Sequence, residues 1–299
     1  MIIFDKSTSW HKVNLHTHTA LSDGKLSPSD AAKKYREHGY GMLAITDHRK
    51  CTVKTDESDD FILAGGIELN CDSFKEAGSL ETWHIVGIGM PEGYTQKTPI
   101  NGSGQDLIDE IKAAGGFAIL AHPAWSLNTP DHILSLKGID AVEIWNTQSA
   151  LPYNPDRADS SAILDCVFNA GMLLPVLASD DTHRYEKEAC VAATMVGTDD
   201  FSLKGILTAI KSGRSYATTG PVITDFEINE ETVTVKTLLP CAAACVCTNH
   251  PWLGHSADTA GDGGKCEFSL PVGENTSFLR VAVFDAEGRR AWTNPVKIN

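Results

Sequence analysis

Two hydrophobic periodicities alternate along the first two thirds of the chain. Short apolar runs of β type fall at residues 13–15, 43–45, 62–67, 85–88, 117–121, 142–144 and 173–178. Several of the stretches between them repeat apolar residues at helical spacing and have readable ends. Ser27 is placed to cap a helix with Pro28 at its first position and Asp30 at its third, an apolar side of Ala31, Ala32 and Tyr35, and a stop at Gly39. A second helix is expected from residue 105, through Leu107, Ile108 and Ile111, to Gly115-Gly116, with others at 130–136, 159–169 and 202–211. Each helix leads into a strand, the alternation of a parallel α/β sheet or barrel. After Gly220-Pro221 the helical period stops. Residues 223–229, 232–238, 242–248, 265–270, 277–285 and 290–298 are β-rich segments separated by Gly, Asn, Pro and Asp, which predicts a small antiparallel β-sandwich. The expected division is therefore 1–220 and 221–299.

Polar residues of one chemical kind gather at the ends of the apolar runs. His16-Thr17-His18, with Asp23 close behind, follows the first run, and alternation puts the two imidazoles on one side of an extended chain. His48 follows Leu43-Ala44-Ile45-Thr46-Asp47. Glu68 closes the run at 62–67, His84 opens 85–88, His122 closes 117–121, and Asp181 and His183 follow the run that ends at Ser179. In a parallel barrel the loops after the strands converge on one mouth, so residues far apart in sequence can meet there. Six imidazoles and three carboxylates meeting in this way are the donor set of a multinuclear metal hydrolase, and the mixed N/O set suits Zn, Mn or Fe.

Four blocks in this order resemble the polymerase-and-histidinol-phosphatase (PHP) family of metal-dependent phosphoesterases: His16-Thr17-His18 with Ser22-Asp23-Gly24, Thr46-Asp47-His48, Ala121-His122-Pro123, and Ser179-Asp180-Asp181-Thr182-His183. The resemblance spans about residues 11 to 220. It implies a distorted seven-stranded (β/α)7 barrel and a metal-ligand set of His16, His18, Asp23, His48, Glu68, His84, His122, Asp181 and His183. Asp180 and Asp181 both stand near the last acidic position, and the family's Asp-x-His spacing favours Asp181. The resemblance further implies two to three divalent ions. His16, His18, Glu68 and Asp181 would serve one; Glu68 would bridge to a second on His84 and His122; Asp23, His48 and His183 would hold the third. A metal-bound hydroxide would be the nucleophile, with Glu68 and Asp181 as central residues of the site. The segment 211–221 and Ala291-Trp292-Thr293-Asn294-Pro295 resemble PHP proteins with a C-terminal extension, the CehA/McbA-like metallohydrolases, in which carbamate or ester hydrolysis is also known.

Other residues fall in place around this set. Arg184 after the last ligand and Arg49 after His48 are candidates to clamp a phosphate, with Arg184 the one assigned to the site. Trp125 and Trp145-Asn146 are candidates to stack on or hydrogen-bond a substrate, or to pack beneath loops. Asp47 is expected to orient an imidazole, and Glu143 to support the site or to be a paired interior charge. The chain has 299 residues, 42% of them apolar, room for a large α/β unit and a small second one. A net charge of -14 with no basic stripe argues against a nucleic-acid duplex as partner, and none is expected. Three divalent cations on three carboxylates would nonetheless make the centre itself positive, so a small anionic substrate, a phosphate ester, remains the expected partner. No basic and apolar segment precedes Trp10 and no apolar run approaches ~18 residues, so no membrane partner and a cytoplasmic location are expected. The eight cysteines form no C-x-x-C pair and are read as reduced thiols, Cys245 and Cys247 being a weak candidate pair for a soft metal. Two readings stand beside phosphoester hydrolysis: a carboxyl-ester, amide or carbamate hydrolase on the same metals, and a metal-stabilised binding module that recognises its partner through the β-sandwich.

Overall fold

The computed structural model describes residues 1–4, 7–74 and 80–298. Its strands, in chain order, are β1 (Ile2–Phe4), β2 (Trp10–Asn14), β3 (Met42–Ile45), β4 (Asp56–Glu57), β5 (Ile62–Phe74), β6 (Leu80–Ile88), β7 (Phe117–Leu120), β8 (Ala141–Asn146), β9 (Val176–Ser179), β10 (Ala193–Gly197) and β11 (Ser215–Thr218). The helices are α1 (Pro28–Glu37), α2 (Gly104–Ala113), α3 (Pro130–Ser135), α4 (Ser161–Asn169) and α5 (Leu203–Lys211), close to the five expected. Their ends follow local chemistry. Ser27, Ser103, Thr129 and Ser202 each accept a backbone N–H at their helix N-terminus, and Pro opens α1 and α3.

One sheet carries the order β10-β2-β3-β5-β6-β7-β8-β9, with β4 on the flank of β5. Alternation divides its side chains between two cores. Met42 and Ala44 of β3 face an inner core with Val13, Ile62, Val86, Ile119 and Leu177, which α5 enters with Ile206 and Ile210. Leu43 and Ile45 of the same strand face Ala31 and Tyr35 of α1. The protein is mixed α/β, but among the described residues the strands of the expected distorted seven-stranded (β/α)7 barrel do not close into a barrel. β2-β3-β5 and β7-β8-β9 are parallel, but β5-β6-β7 are antiparallel, and β5 and β6 pair along a long antiparallel ladder. Among the described residues no ladder joins β9 to β2 or β10. The free edge of β2 is already taken by antiparallel β10. The seam is spanned instead by the Thr194 hydroxyl, which donates to Ala178 O and accepts from Ala178 N, both at 3.1 Å. A single parallel bridge, Thr17 to Thr182, adds to it beyond the strand ends.

The remaining strands are β12 (Ile223–Ile228), β13 (Thr232–Cys241), β14 (Ala243–Thr248), β15 (Ala257–Thr259), β16 (Lys265–Pro271), β17 (Phe278–Phe284), β18 (Arg290–Thr293) and β19 (Val296–Lys297). They lie in two layers around one core of Phe226, Val235, Phe268, Val246, Val281 and Val283. The first layer is β1-β12-β13-β16, so the N-terminal strand joins it. The second, β15-β14-β17-β18, continues through β11 into β10 and the large sheet. Among the described residues no helix is long and apolar enough to cross a membrane.

Candidate metal centre

All nine residues expected to hold metal meet at one end of the curved sheet, in three adjoining groups: His16, His18 and Asp181; Glu68, His84 and His122; His18, Asp23, His48 and His183. Glu68 is the hub. Its Oε1 lies 3.3, 2.8 and 3.3 Å from nitrogens of His16, His84 and His122, and its Oε2 lies 3.3 and 2.9 Å from His18 and His48. It is 1% exposed. Asp181 Oδ1 faces His18 at 3.1 Å and His16 at 3.3 Å, and Asp23 Oδ2 stands 3.5 and 3.4 Å from His48 and His183.

The strands set these positions differently from the sequence reading. Glu68 and His84 sit within β5 and β6 rather than at strand ends, because the hairpin pairing carries both strands past them. His16 and His18 lie just beyond β2, with Nε2 atoms 3.2 Å apart. His122 (φ 30°) and Asp181 (φ 53°) hold sparsely populated backbone conformations, the strain expected where a turn must aim a side chain.

Supporting residues fix which nitrogen faces inward. Glu143 Oε1 accepts from His16 Nδ1 at 2.9 Å, leaving Nε2 toward the cluster; its Oε2 accepts from His122 N–H at 2.9 Å and Asn146 Nδ2 at 2.8 Å. His183 Nδ1 donates to Asp181 O at 2.8 Å, and Asn146 Nδ2 also reaches Asp181 Oδ2. Glu188, which the sequence reading missed, accepts the N–H groups of His183 and Arg184. Asp180 turns away: it accepts from Tyr35 OH and from the N–H groups of Cys190, Val191 and Ala192, and burial pushes its carboxyl up to about 6 despite them. Asp47 orients no imidazole. It accepts from Thr19 N, Thr19 Oγ1, Ser22 Oγ and Thr52 Oγ1, and so pins the loop that carries Asp23.

The field of the cluster favours positive charge. Burial acts to neutralise Glu68 and Asp181, yet the surrounding imidazoles hold both carboxyls well below the usual range. Conversely, burial opposes a charged His48, but Glu68 and Asp23 raise it to about 10; His183, also desolvated, is raised to about 9 by Asp23 and Asp181. His18 Nδ1 is buried without a hydrogen-bond partner, and His48 Nδ1 and Asp181 Oδ1, though within ion-pair distance of Glu68 and of the His16 and His18 rings, make no hydrogen bond of good geometry. Orphaned donor atoms in a carboxylate-imidazole nest that draws in positive charge fit divalent cations.

A pocket of about 200 Å³ opens on the centre, walled by His48, Glu68, His84, His122, Asp181 and His183 on one side and by Trp125, Gln148, Ser149 and Asn154 on the other. Trp125 meets His84 and His122 edge-on and donates to Asn154 Oδ1 at 2.9 Å. Trp145 instead stacks on Trp292. Arg184 does not line the pocket; its guanidinium lies over the Tyr153 ring and reaches Glu188. Arg49 donates to Asn70.

No protein-family model matches the chain, and no curated protein matches it. Its fold is similar to that of a two-domain protein from Bacteroides vulgatus ATCC 8482 containing a predicted PHP-like metal-dependent phosphoesterase: TM-score 0.54 at 16% identity, covering 100% of this chain and 97% of that one. Weaker likenesses, each at 16% identity, are to an amidohydrolase from Chromobacterium violaceum (TM-score 0.41, 59% of this chain and 89% of that one) and to a putative metal-dependent phosphoesterase from Bifidobacterium adolescentis (0.42, 68% and 97%).

Proposed function

We propose that the chain is a PHP-type metal-dependent phosphoesterase acting on a small phosphorylated metabolite or nucleotide. The observation that carries this reading is the convergence of five imidazoles on the two oxygens of Glu68, with Asp181 and Asp23 completing a donor group on either side. In this reading the three groups would hold two to three divalent ions of the Zn, Mn or Fe kind, with Glu68 as the ligand they would share. Bound there, they would lower the pKa of a coordinated water from ~15.7 toward ~7, neutralise phosphate oxygens and stabilise the leaving oxygen.

The chain's residues supply orientation and exclusion. Glu143 and the Asp181 carbonyl hold protons on His16 Nδ1 and His183 Nδ1, so each ring presents its other nitrogen. Trp125 shields the His84 and His122 side from bulk water. Ser149, the only hydroxyl on the described wall, is tied to Asn146 Oδ1, which leaves water as the attacking group. We propose that residues 1–220 carry the donors and residues 221–299 buttress them. A second reading, hydrolysis of a carboxyl ester, amide or carbamate, is favoured by one observation: the described wall has no Lys or Arg to meet further phosphate charge.

Protein prepared without chelator is expected to contain two to three transition ions per chain by elemental analysis, and a screen of phosphomonoesters, phosphodiesters and aryl esters with Mn and Zn should find turnover among the phosphates. Turnover of aryl esters alone selects the second reading. A metal content near zero after reconstitution rejects both. Glu68→Gln should remove more metal and activity than Asp23→Asn, because a neutral amide is a poor bridge between two cations.

A further inference from the structure

Asn14 ends β2 as a polar residue between Val13 and Leu15, and all three are fully buried. A buried carboxamide costs free energy unless both its acceptor and its donors are met. Here they are met on both sides of the open seam between β2 and β9. Asn14 Oδ1 accepts from Asp180 N–H at 2.9 Å, and Nδ2 donates to His16 O at 2.9 Å and to Thr17 Oγ1 at 2.6 Å. A backbone N–H can only donate and a carbonyl can only accept, so these partners fix which end of the amide is which.

The edge of β2 is covered by β10 only from Trp10 to Val13. Where that cover stops, residues 180–182 come alongside 16–18: Asp181 N–H donates to His16 O at 2.9 Å, and His18 N–H to Thr182 O at 3.0 Å. Two successive N–H groups, those of Asp180 and Asp181, thus face the same neighbour, whereas in a regular strand successive N–H groups point to opposite edges. The Asn14 side chain is the acceptor that serves the first of them. Asp181 itself holds φ 53°, and a conformation so sparsely populated persists where its surroundings over-determine it. On its other flank the His16-His18 segment is tied to Thr46, just after β3: Thr17 N–H donates to Thr46 Oγ1 at 2.9 Å and Thr46 N–H to Thr17 O at 2.8 Å.

We propose that Asn14 is a positioning residue of the metal centre: its carboxamide stands in for a rung of the ladder missing between β2 and β9, and sets the His16-His18 segment against the Asp181-His183 segment before any ion is bound. In that register Asp181 Oδ1 lies 3.1 Å from His18 Nε2 and 3.3 Å from His16 Nε2, and the two imidazole nitrogens are 3.2 Å apart. Donors already gathered by folding need not be gathered by the ion, which raises affinity. Leucine has no polar atom for this joint, and an ionised aspartate has no donor for His16 O. The role rests on the reading of these residues as metal ligands.

The test compares Asn14→Leu with Thr194→Val in the full chain. Both remove buried hydrogen bonds at the same seam, but the Thr194 hydroxyl bonds only Ala178 and touches no proposed ligand, so it controls for lost stability. Co(II) is titrated into metal-free protein and followed by visible absorption, whose d–d bands report donor geometry. Asn14→Leu is expected to lower Co(II) affinity by about 10–100-fold and to shift the bands, while Thr194→Val keeps the parent's affinity and bands. Parent-like affinity and bands in Asn14→Leu, or an equal loss in Thr194→Val, overturn the proposal. A parent chain that binds no Co(II) rejects the metal centre and this role together, a result distinct from either of those. If Asn14→Leu does not fold, the unaltered metal-free chain decides: the Asn14 Nδ2 and Asp180 N hydrogens should exchange slowly by NMR, and exchange at the rate of exposed amides overturns the proposal.

Discussion

Glu143 binds three parts of the centre at once: the His16 ring, the His122 backbone and the Asn146 amide. Glu143→Gln keeps the shape but replaces one acceptor oxygen with an NH2 group, which then faces either the His16 N–H or the two donors on the other side. Metal affinity, measured by chelator competition, is expected to fall by about 10–100-fold; unchanged affinity would remove Glu143 from the supporting role. That the nine side chains of the centre gather was legible because each adjoins an apolar run, although only some of those runs end where loops converge: Glu68 and His84 lie within β5 and β6. Their supporters were harder to read. Glu143 lies 127 residues from His16, and nothing local announces that pairing. Asp47 shows the converse, since adjacency to His48 suggested an imidazole partner, yet its carboxylate turns to the hydroxyls of Thr19, Ser22 and Thr52. The Asp-x-His spacing favours Asp181 over Asp180, and the structure agrees: Asp181 takes the positive φ and faces the imidazoles, whereas Asp180 turns to Tyr35 and backbone N–H groups.

The ends of α1 were readable residue by residue because capping is local chemistry, whereas the β5-β6 hairpin was not, because cross-strand pairing rather than hydrophobicity carries β5 beyond Ile67 into the polar stretch Asn70 to Ser73. Two elements lend themselves to test. In the loop between β2 and α1, a Cβ on Gly24 would stand 2.2 Å from His18 O, so Gly24→Ala must displace the segment joining His18 to Asp23. If Asp23, His48 and His183 hold one of the proposed ions, that ion should be lost while circular dichroism stays that of the parent; full metal content would contradict this placement. At the other end of the sheet Asp140 joins α2 to α5. It accepts from Lys112 at 2.6 Å, Lys211 at 2.8 Å and Ala118 N–H at 2.9 Å. Burial pushes its carboxyl up, but these donors outweigh it and hold it below the ordinary carboxylate value. A depressed folded-state pKa gives stability that is present above the unfolded value, ~3.9, and is lost as pH falls through the folded one. Asp140→Asn should therefore cost about 1–3 kcal/mol at pH 7, and the gap to the parent in urea melts should narrow at acid pH. A gap independent of pH would show that its charge is immaterial.

Across the whole molecule, the continuity of one sheet through β10, β11, β18 and β17 makes the last 79 residues part of the scaffold of the first 220. Trp292 is buried against Trp145, and Phe278 against Phe168 of α4, so both belong to the core beneath the outer helices. Arg290 bonds Asp159, and Arg280 bonds Asp165. Asn294 acts as a three-way connector: its Oδ1 accepts from Val176 N–H at 2.7 Å, and its Nδ2 donates to Gly213 O at 3.0 Å and Ser215 O at 2.8 Å. Val176 opens β9, the strand that leads to Asp181 and His183. Composition and turn residues announced the change of pattern at Gly220 but could not announce these bonds, because each joins groups more than 70 residues apart. Asn294→Ala would leave a buried N–H and two carbonyls short of a partner, a loss of about 2–4 kcal/mol, readable as a lower urea midpoint with a single transition preserved. Both tryptophan fluorescence and far-ultraviolet dichroism should report that same midpoint. A chain ending at residue 220 would lose β12 to β19 together with the cover of Trp145, and should show no cooperative melt. If it instead unfolds cooperatively near the parent midpoint and binds as much metal as the parent, residues 1–220 are independent of residues 221–299 and the coupling argued from Asn294 is wrong.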